Sequence, residues 1–576
     1  MVLGLFGKAK SENASAGQAK ASTGAAPAPG GVIPGLMQDW QLTVDKIIEH
    51  AKTNHGHREV VTRSVAGPIV RTTYADIYNN AKRVSEGLLD RGIQPGDKIA
   101  TLAWNTNEHM EAWYGAMCIG VVLHTANPRL FPEQIAWLLN HAEDKALFFD
   151  VTFLPIVEMI APKLETVRTF VVFGDDSNVP ADTKIPGLVS YASFLEGMTG
   201  AGVKWGGFDE NTACGLCYTS GTTGNPKGVM YSHRSNTLMA MIALQGDGLG
   251  LGVRETMLPI VPMFHANAWA LTFSAPASGT KLVMPGAKMD GQSIYELLDS
   301  EKVTMSAAVP TVWLMLKQYL EETGATLPHL KSVIIGGAAV PEAILRTFED
   351  KYDVEVVHAW GMTETSPMGT ICAMTPETAA MEREEQIKTK LKQGRTPFGV
   401  QAKVITPDGE DLPRDGKTSG HLVVSGPCIA KAYYKGDGGE ILDDQGFFDT
   451  GDVANIDELG FMQITDRSKD VIKSGGEWIS SMDLENFAVG HPAVANAGAI
   501  GIFHPKWDER PLLVVQLVEG KTATKEEILA QLDGKIAKWW MPDDVAFVDE
   551  IPLGATGKIN KLKLREMFKD YKLPTA

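Results

Sequence analysis

Cysteine is scarce in this chain, five in 576 residues. So small and odd a number excludes a disulfide framework and fits a reducing compartment. Positive charge is also in deficit: 53 Lys and Arg against 70 Asp and Glu leave a formal net charge of −17. That balance excludes a general binder of nucleic acid or anionic membrane. Long apolar runs are missing as well, and nothing approaches the ~18 residues of a membrane span. What is present is ordinary for a globular protein, 44% hydrophobic and 21% charged residues, in a length beyond the ~100–200 residues of one domain. Glycine, at 58 residues, points to several loops where the backbone turns tightly or approaches a ligand.

The first 31 residues are rich in Ala, Gly, Ser and Pro, and residues 1–35 read as a flexible tail. MVLGLFGKAK has neither the basic start nor the apolar length of a signal peptide, so a cytoplasmic protein is expected. From about Asp39, helical stretches such as TYADIYNNAKRVSEGLLDRG alternate with apolar runs such as KIATLAW and GVVLHT. This alternation predicts layered α/β sheets. Residues 375–397, polar and of mixed charge, read as a solvated surface helix. Beyond Gly399 short runs (QAKVI, HLVVSG, FMQIT) predict a small β-subdomain, and polar residues with a Gly pair from Arg467 mark a second domain. The expected division is a tail 1–35, a large α/β domain 36–466 and a small mobile α+β domain 467–576. Cys214 and Cys217 form a CxxC without a second pair, and they read as strand packing residues.

The most informative stretch is YTSGTTGNPKGVMYSHRS, residues 218–235, between the apolar CGLC and a helical SNTLMAMIAL. Ser220, Thr222 and Thr223 alternate with Gly221 and Gly224, so backbone N–H groups and hydroxyls converge on phosphate oxygens without obstruction, and Lys227 adds a cation. A Walker loop is excluded because Pro226 precedes the lysine and Gly228 follows it.

YTSGTTGNPKG resembles the nucleotide-binding signature of the superfamily of adenylate-forming acyl-CoA synthetases, peptide-synthetase adenylation domains and luciferases. Further motifs follow in that family's order: PMFHANAW (262–269), GGAAVP (336–341), WGMTETSP (360–367), TGD (450–452), DRSKDVIKSGGEWIS (466–480) and GATGKI (554–559). HANAW, SGGEWISS and HPKWDERP are most similar to the medium- and long-chain fatty acyl-CoA synthetases. The resemblance implies an acid:CoA ligase that uses ATP, Mg²⁺ and coenzyme A and releases AMP and pyrophosphate.

In that chemistry two anions, a carboxylate and an α-phosphate, must meet, so cations are needed to neutralise charge. Lys558 is the candidate for this role, with Glu364 as a hard oxygen ligand for Mg²⁺ and Thr219 and Thr363 beside phosphate or metal. The resemblance places Gly337, Ala338, Ala339, His358, Ala359 and Trp360 around adenine and the acyl group; Trp360 stands where the family commonly has Tyr. Asp452 and Arg467 take the ribose, and Lys469 the hinge of the small domain. His265 joins Lys558 and Glu364 as a catalytic candidate, and with Trp269 it resembles an aromatic gate to the acyl tunnel. Lys473, Gly475, Glu477 and Trp478 lie beyond the hinge, where relatives pass the pantetheine arm or contact nucleotide.

Three other readings compete. An acyl-AMP ligase would load a carrier protein, a binding protein would have lost catalysis, and a P-loop ATPase would yield ADP. The small apolar residues of 266–277 favour an aliphatic or aromatic acid over an amino acid, medium-chain fatty acids first and short sulfur-containing or aryl acids behind. A homodimer is expected from the same branch.

Overall fold

The computed structural model describes residues 35–219, 226–467, 469–475, 477–554 and 558–576. The chain divides into Met1–Gln41 and Leu42–Ala576. In the first unit the described residues form neither helix nor strand, and the Trp40 N–H donates to the Gln38 carbonyl. The second carries every helix and sheet described below.

The helix predicted from TYADIYNNAKRVSEGLLDRG runs Tyr74–Asp90. Tyr74, Ile77, Ala81, Val84 and Leu88 recur at helical spacing and are its buried face. Thr73 and Asp76 exchange side-chain and backbone hydrogen bonds at its start. Gly92, at φ +77°, lets the chain turn out of it toward strand Lys98–Leu102.

Two large sheets form the N-terminal part. A seven-stranded sheet places Lys98–Leu102, Val122–Thr125 and Ala213–Tyr218 side by side and parallel, with Gly228–Ser232 antiparallel at its edge. An eight-stranded sheet runs Met305–Ala308, Ser332–Ile335 and Glu355–Gly361 parallel, in the register Ala308↔Ile335↔His358. The hydrophobic core is shared between these layers, with Trp113 and Phe273 touching inside one cluster and Trp313 and Phe348 inside another. The predicted β-subdomain is a four-stranded antiparallel sheet of Gln401–Ile405, Gly420–Ser425, Phe448–Ile456 and Met462–Arg467. A five-stranded sheet with helices Ser481–Val489 and Lys525–Leu532 forms the C-terminal part.

Two details differ from the sequence expectations. Residues 375–397 hold two short helices, Pro376–Ala379 and Arg383–Lys390, and Thr378, Ile387, Thr389 and Lys390 are buried. The segment is polar yet packed because Lys390 pairs with Glu349 at 2.5 Å. Arg467 closes the four-stranded sheet, opposite Asp452, so the chain leaves that sheet only after it.

Candidate functional site

The site assembles where parallel strands end, the place where α/β sheets bind ligands. Strand Ala213–Tyr218 leads into the segment 219–227, whose ends are clamped by Thr219 N–H to the Lys227 carbonyl (2.9 Å) and Lys227 N–H to Thr219 Oγ1 (3.2 Å). Ser220, Gly221, Thr222, Thr223 and Gly224 lie outside the described residues. The Lys227 ammonium stands 4.9 Å from the centre of the Tyr433 ring. The Tyr433 hydroxyl in turn donates to Glu364 Oε1 at 2.6 Å. Glu364 is 5% exposed, and burial raises its pKa against the lowering effect of Tyr433. Its neighbour Thr363 is fixed by the Tyr231 hydroxyl, which donates to the Thr363 carbonyl at 2.8 Å. Neither Tyr433 nor Tyr231 was legible as a site residue: no motif spacing links either to Glu364, and only folding brings them together.

Strand Ser332–Ile335 ends in Gly336–Ala339, with Gly337 at φ +81°. A Cβ on Gly336 would stand 2.8 Å from the Ala359 carbonyl oxygen and 3.1 Å from the Trp269 ring, so only glycine admits both. Trp269 therefore packs against Gly336, at the start of the small-residue strip Gly336, Gly337 and Ala338. His358 is buried, with Nδ1 donating to the Leu391 carbonyl at 3.0 Å. Burial takes the His358 pKa down to about 4. The Trp360 ring lies in the hydrophobic cluster of the four-stranded sheet, and its indole N–H donates to Asp452 Oδ2 at 3.0 Å. Arg467 Nε pairs with Asp452 Oδ1 at 2.8 Å. Asp452 is 2% exposed and its pKa is raised by burial, with Arg467 opposing.

Lys558 joins this group from the far end of the chain. A Cβ on Gly337 would lie 4.0 Å from Lys558 Cε. Burial lowers the ammonium pKa to about 8, Arg467 adds to that, and the carboxylates of Asp452 and Glu364 act against it. His265 is taken down to about 4 by burial and by the charges of Lys558 and Arg129, so it is neutral at physiological pH. The sequence-predicted Lys558, Glu364, Asp452, Arg467, Gly337 and His265 are thus one electrostatic neighbourhood. Lys469 and Lys473 are exposed. Lys473 pairs with Trp478 between strands Ile472–Ser474 and Glu477–Ile479, and Gly475, at φ +61°, packs beside Trp507 and Trp539.

No cluster of three or more metal-ligating side chains occurs among the described residues. Mg²⁺ needs none, since it keeps several waters and takes one or two carboxylates plus phosphate. Glu364 fits such an ion: it is a hard oxygen donor whose carboxylate is held in place by the Tyr433 hydroxyl on Oε1. No helix among the described residues is long and apolar enough to cross a membrane.

Residues 48–434 match the model of the AMP-binding enzyme family, and residues 483–558 that of the AMP-binding enzyme C-terminal domain. The chain belongs to the AMP-binding enzyme family. Within that family it is 48% identical, over 93% of its length and 99% of the relative, to 3-methylmercaptopropionyl-CoA ligase of Ruegeria pomeroyi. It is 44% identical to the medium-chain-fatty-acid CoA ligase of Ectopseudomonas oleovorans, over 94% of this chain and 99% of that one. The long-chain-fatty-acid CoA ligase of Thermus thermophilus is also 44% identical, over 94% and 98%. Among solved structures, ATP-bound MatB from Rhodopseudomonas palustris superposes with a TM-score of 0.78 at 26% identity, over 92% of this chain and all of that one. An anthranilate CoA ligase in complex with anthranoyl-AMP shares the fold at a TM-score of 0.81 and 21% identity, over 92% and 97%.

Proposed function

We propose that this AMP-binding enzyme activates a short- to medium-chain apolar carboxylic acid, with 3-methylmercaptopropionate and medium-chain fatty acids as the leading candidates. The chain is an AMP-forming acid:CoA ligase. In the first half-reaction a carboxylate oxygen bonds to the α-phosphorus of ATP and the bond to pyrophosphate breaks. In the second, the CoA thiol sulfur bonds to the acyl carbon, the bond to AMP breaks, and the thiol proton leaves to solvent.

The observation that carries this reading is the convergence of Lys558 with Glu364, Asp452 and Gly337. We assign Lys558 to neutralise the meeting carboxylate and phosphate. Glu364 and Thr219 would hold Mg²⁺, which supplies further charge neutralisation on the phosphates. The segment 219–227 with Lys227, and Thr363, cradle the phosphates. Asp452 accepts from the ribose hydroxyls, with Arg467 and Trp360 holding its carboxylate. His358, Ala359, Gly337 and Ala338 border the base, and His265 with Trp269 borders the acyl group. Lys473 and Trp478 are assigned to the CoA passage.

Residues 266–277 contain no charged side chain. An amino acid or a second carboxylate would need an ionic partner there. The Trp269 ring against Gly336 and the 48% identical relatives both favour a compact acid. We also assign two domains, a large one from residue 36 through the strand that ends at Arg467 and a small one after it, that rotate about Lys469 between half-reactions. Five unpaired cysteines, all buried, support residence in the cytoplasm. Homodimerisation is proposed on resemblance and is checked by light scattering.

The test is mass spectrometry of products from the purified chain with ATP, Mg²⁺, CoA and a panel of 3-methylmercaptopropionate, C2 to C18 fatty acids and aryl acids. Acyl-CoA with AMP, strongest for the compact acids, is expected. Acyl-adenylate without acyl-CoA would replace CoA by a carrier protein, and a preference for long chains would overturn the compact-acid assignment.

A further inference from the structure

Just before the proposed hinge, the end of strand Met462–Arg467 is bound to the C-terminal part by buried polar contacts that neither half-reaction uses. Asp466 is 1% exposed. Its Oδ2 accepts the Ser481 N–H at 2.6 Å, and the Ser481 hydroxyl donates to Oδ2 at 2.7 Å and Oδ1 at 2.9 Å. Ser481 opens the helix Ser481–Val489, so the carboxylate also meets the positive end of a helix dipole. One residue earlier on each side, the Ser480 hydroxyl donates to the Thr465 carbonyl at 2.5 Å. Lys561 completes the set, donating to Ser481 Oγ at 2.5 Å and pairing with Glu485 at 2.9 Å.

Thr465 and Asp466 precede Lys469, whereas Ser480, Ser481, Glu485 and Lys561 follow it. Rotation about Lys469 therefore separates these two groups. Lys561 opens the helix Lys561–Met567 three residues beyond Lys558, and between them the Lys558 carbonyl accepts the Gly554 N–H (2.7 Å) and the Pro552 carbonyl accepts the Asn560 N–H (2.8 Å). Both lysines therefore move with the same short stretch of the C-terminal part. Charge accounting favours an opening latch: once Asp466 departs, Lys561 keeps Glu485, so no buried charge is left alone.

We infer that Asp466, Ser480, Ser481 and Lys561 form a latch that holds the C-terminal part with Lys558 in the active site and opens for thioester formation. This rests on the two-half-reaction reading above. Asp466 is a positioning residue: it touches neither substrate nor the reacting atoms, and it acts by biasing one orientation.

The test uses the full chain carrying Asp466→Asn or Ser481→Ala. Pyrophosphate release without CoA reports the first half-reaction, and CoA thioester formation from supplied acyl-adenylate the second. Asp466→Asn is expected to slow the first by about ten- to a hundredfold, the range for a lost hydrogen bond to a charged group, and to leave the second unchanged or faster. Ser481→Ala, which keeps the backbone N–H, should move in the same direction by less. Spin labels at the exposed positions Asp408→Cys and Lys535→Cys report domain orientation without catalysis, and Asp466→Asn should convert one distance population into two. An unchanged distance distribution, or an equal loss of both half-reactions at unchanged Tm, would overturn the latch. Absence of both half-reactions in the parent chain would instead count against the ligase reading, because the label distances report the latch independently.

Discussion

Lys558 has to be a cation to do its proposed work, and its surroundings pull in opposite directions. Burial and Arg467 bring its pKa down to about 8, while Asp452 and Glu364 hold it up. The ammonium form is lost as pH rises through that value. Pyrophosphate release without CoA should therefore be flat below pH 8 and fall about tenfold per pH unit above it. Glu364→Gln removes one supporting carboxylate, so the falling limb should move to lower pH; a limb that stays in place would separate Glu364 from Lys558. Lys558→Ala should reduce adenylate formation by about 10² or more, the scale of one lost electrostatic contact to a transition state. Thioester formation from supplied acyl-adenylate should survive it. Stopped-flow assays of the two half-reactions decide this, and an equal loss in both would remove Lys558 from its role.

At the scale of an element, the segment 266–270, proposed to border the acyl group, has an uncommon backbone. Ala266, Asn267, Ala268, Trp269 and Ala270 all have φ between 45° and 61°. A left-handed turn of non-glycine residues costs roughly 1–2 kcal/mol per residue, so the surroundings must hold it. Asn267 does much of this, donating to Asn236 Oδ1 at 3.2 Å, accepting weakly from Cys217, and giving its carbonyl to Thr272. Asn267→Ala leaves the buried Asn236 oxygen unpaired, which should cost about 1–3 kcal/mol of stability. It should also release Trp269 from Gly336, and relative kcat/KM should shift toward longer acids. A fall in Tm with an unchanged acid ranking would make the turn a purely structural feature. Sequence patterns revealed HANAW as a motif but not this turn, because alanine carries no local preference for left-handed backbone. Cys214 and Cys217, read as strand packing residues, are buried in strand Ala213–Tyr218 and serve as soft partners for Asn236, Thr125 and Asn267.

For the whole molecule, the proposed cycle needs the C-terminal part in two orientations, and the structure holds the one that puts Lys558 beside Glu364 and Asp452. Lys469→Pro should retain adenylate formation and slow thioester formation by about tenfold or more, because a fixed φ restricts the rotation. Single-turnover measurement of both steps checks this, and full overall turnover would move the hinge elsewhere. The latch through Asp466 gives the same cycle a second control point, and the two variants should act in opposite senses.

The layered α/β class, the β-rich part after Gly399 and the candidates Lys558, Glu364 and Asp452, with the proposed phosphate-binding stretch 218–235, were legible in the sequence alone. Periodicity, glycine placement and motif order are properties of neighbouring residues, so they are legible without a fold. It took folding to bring Tyr433 onto Glu364, Trp360 and Arg467 onto the Asp452 carboxylate, and Asp466 onto Ser481 across the proposed hinge. Folding also buries part of the polar segment 375–397. Each of these joins residues distant in the chain, and their pairing depends on strand register and layer packing rather than on local preference.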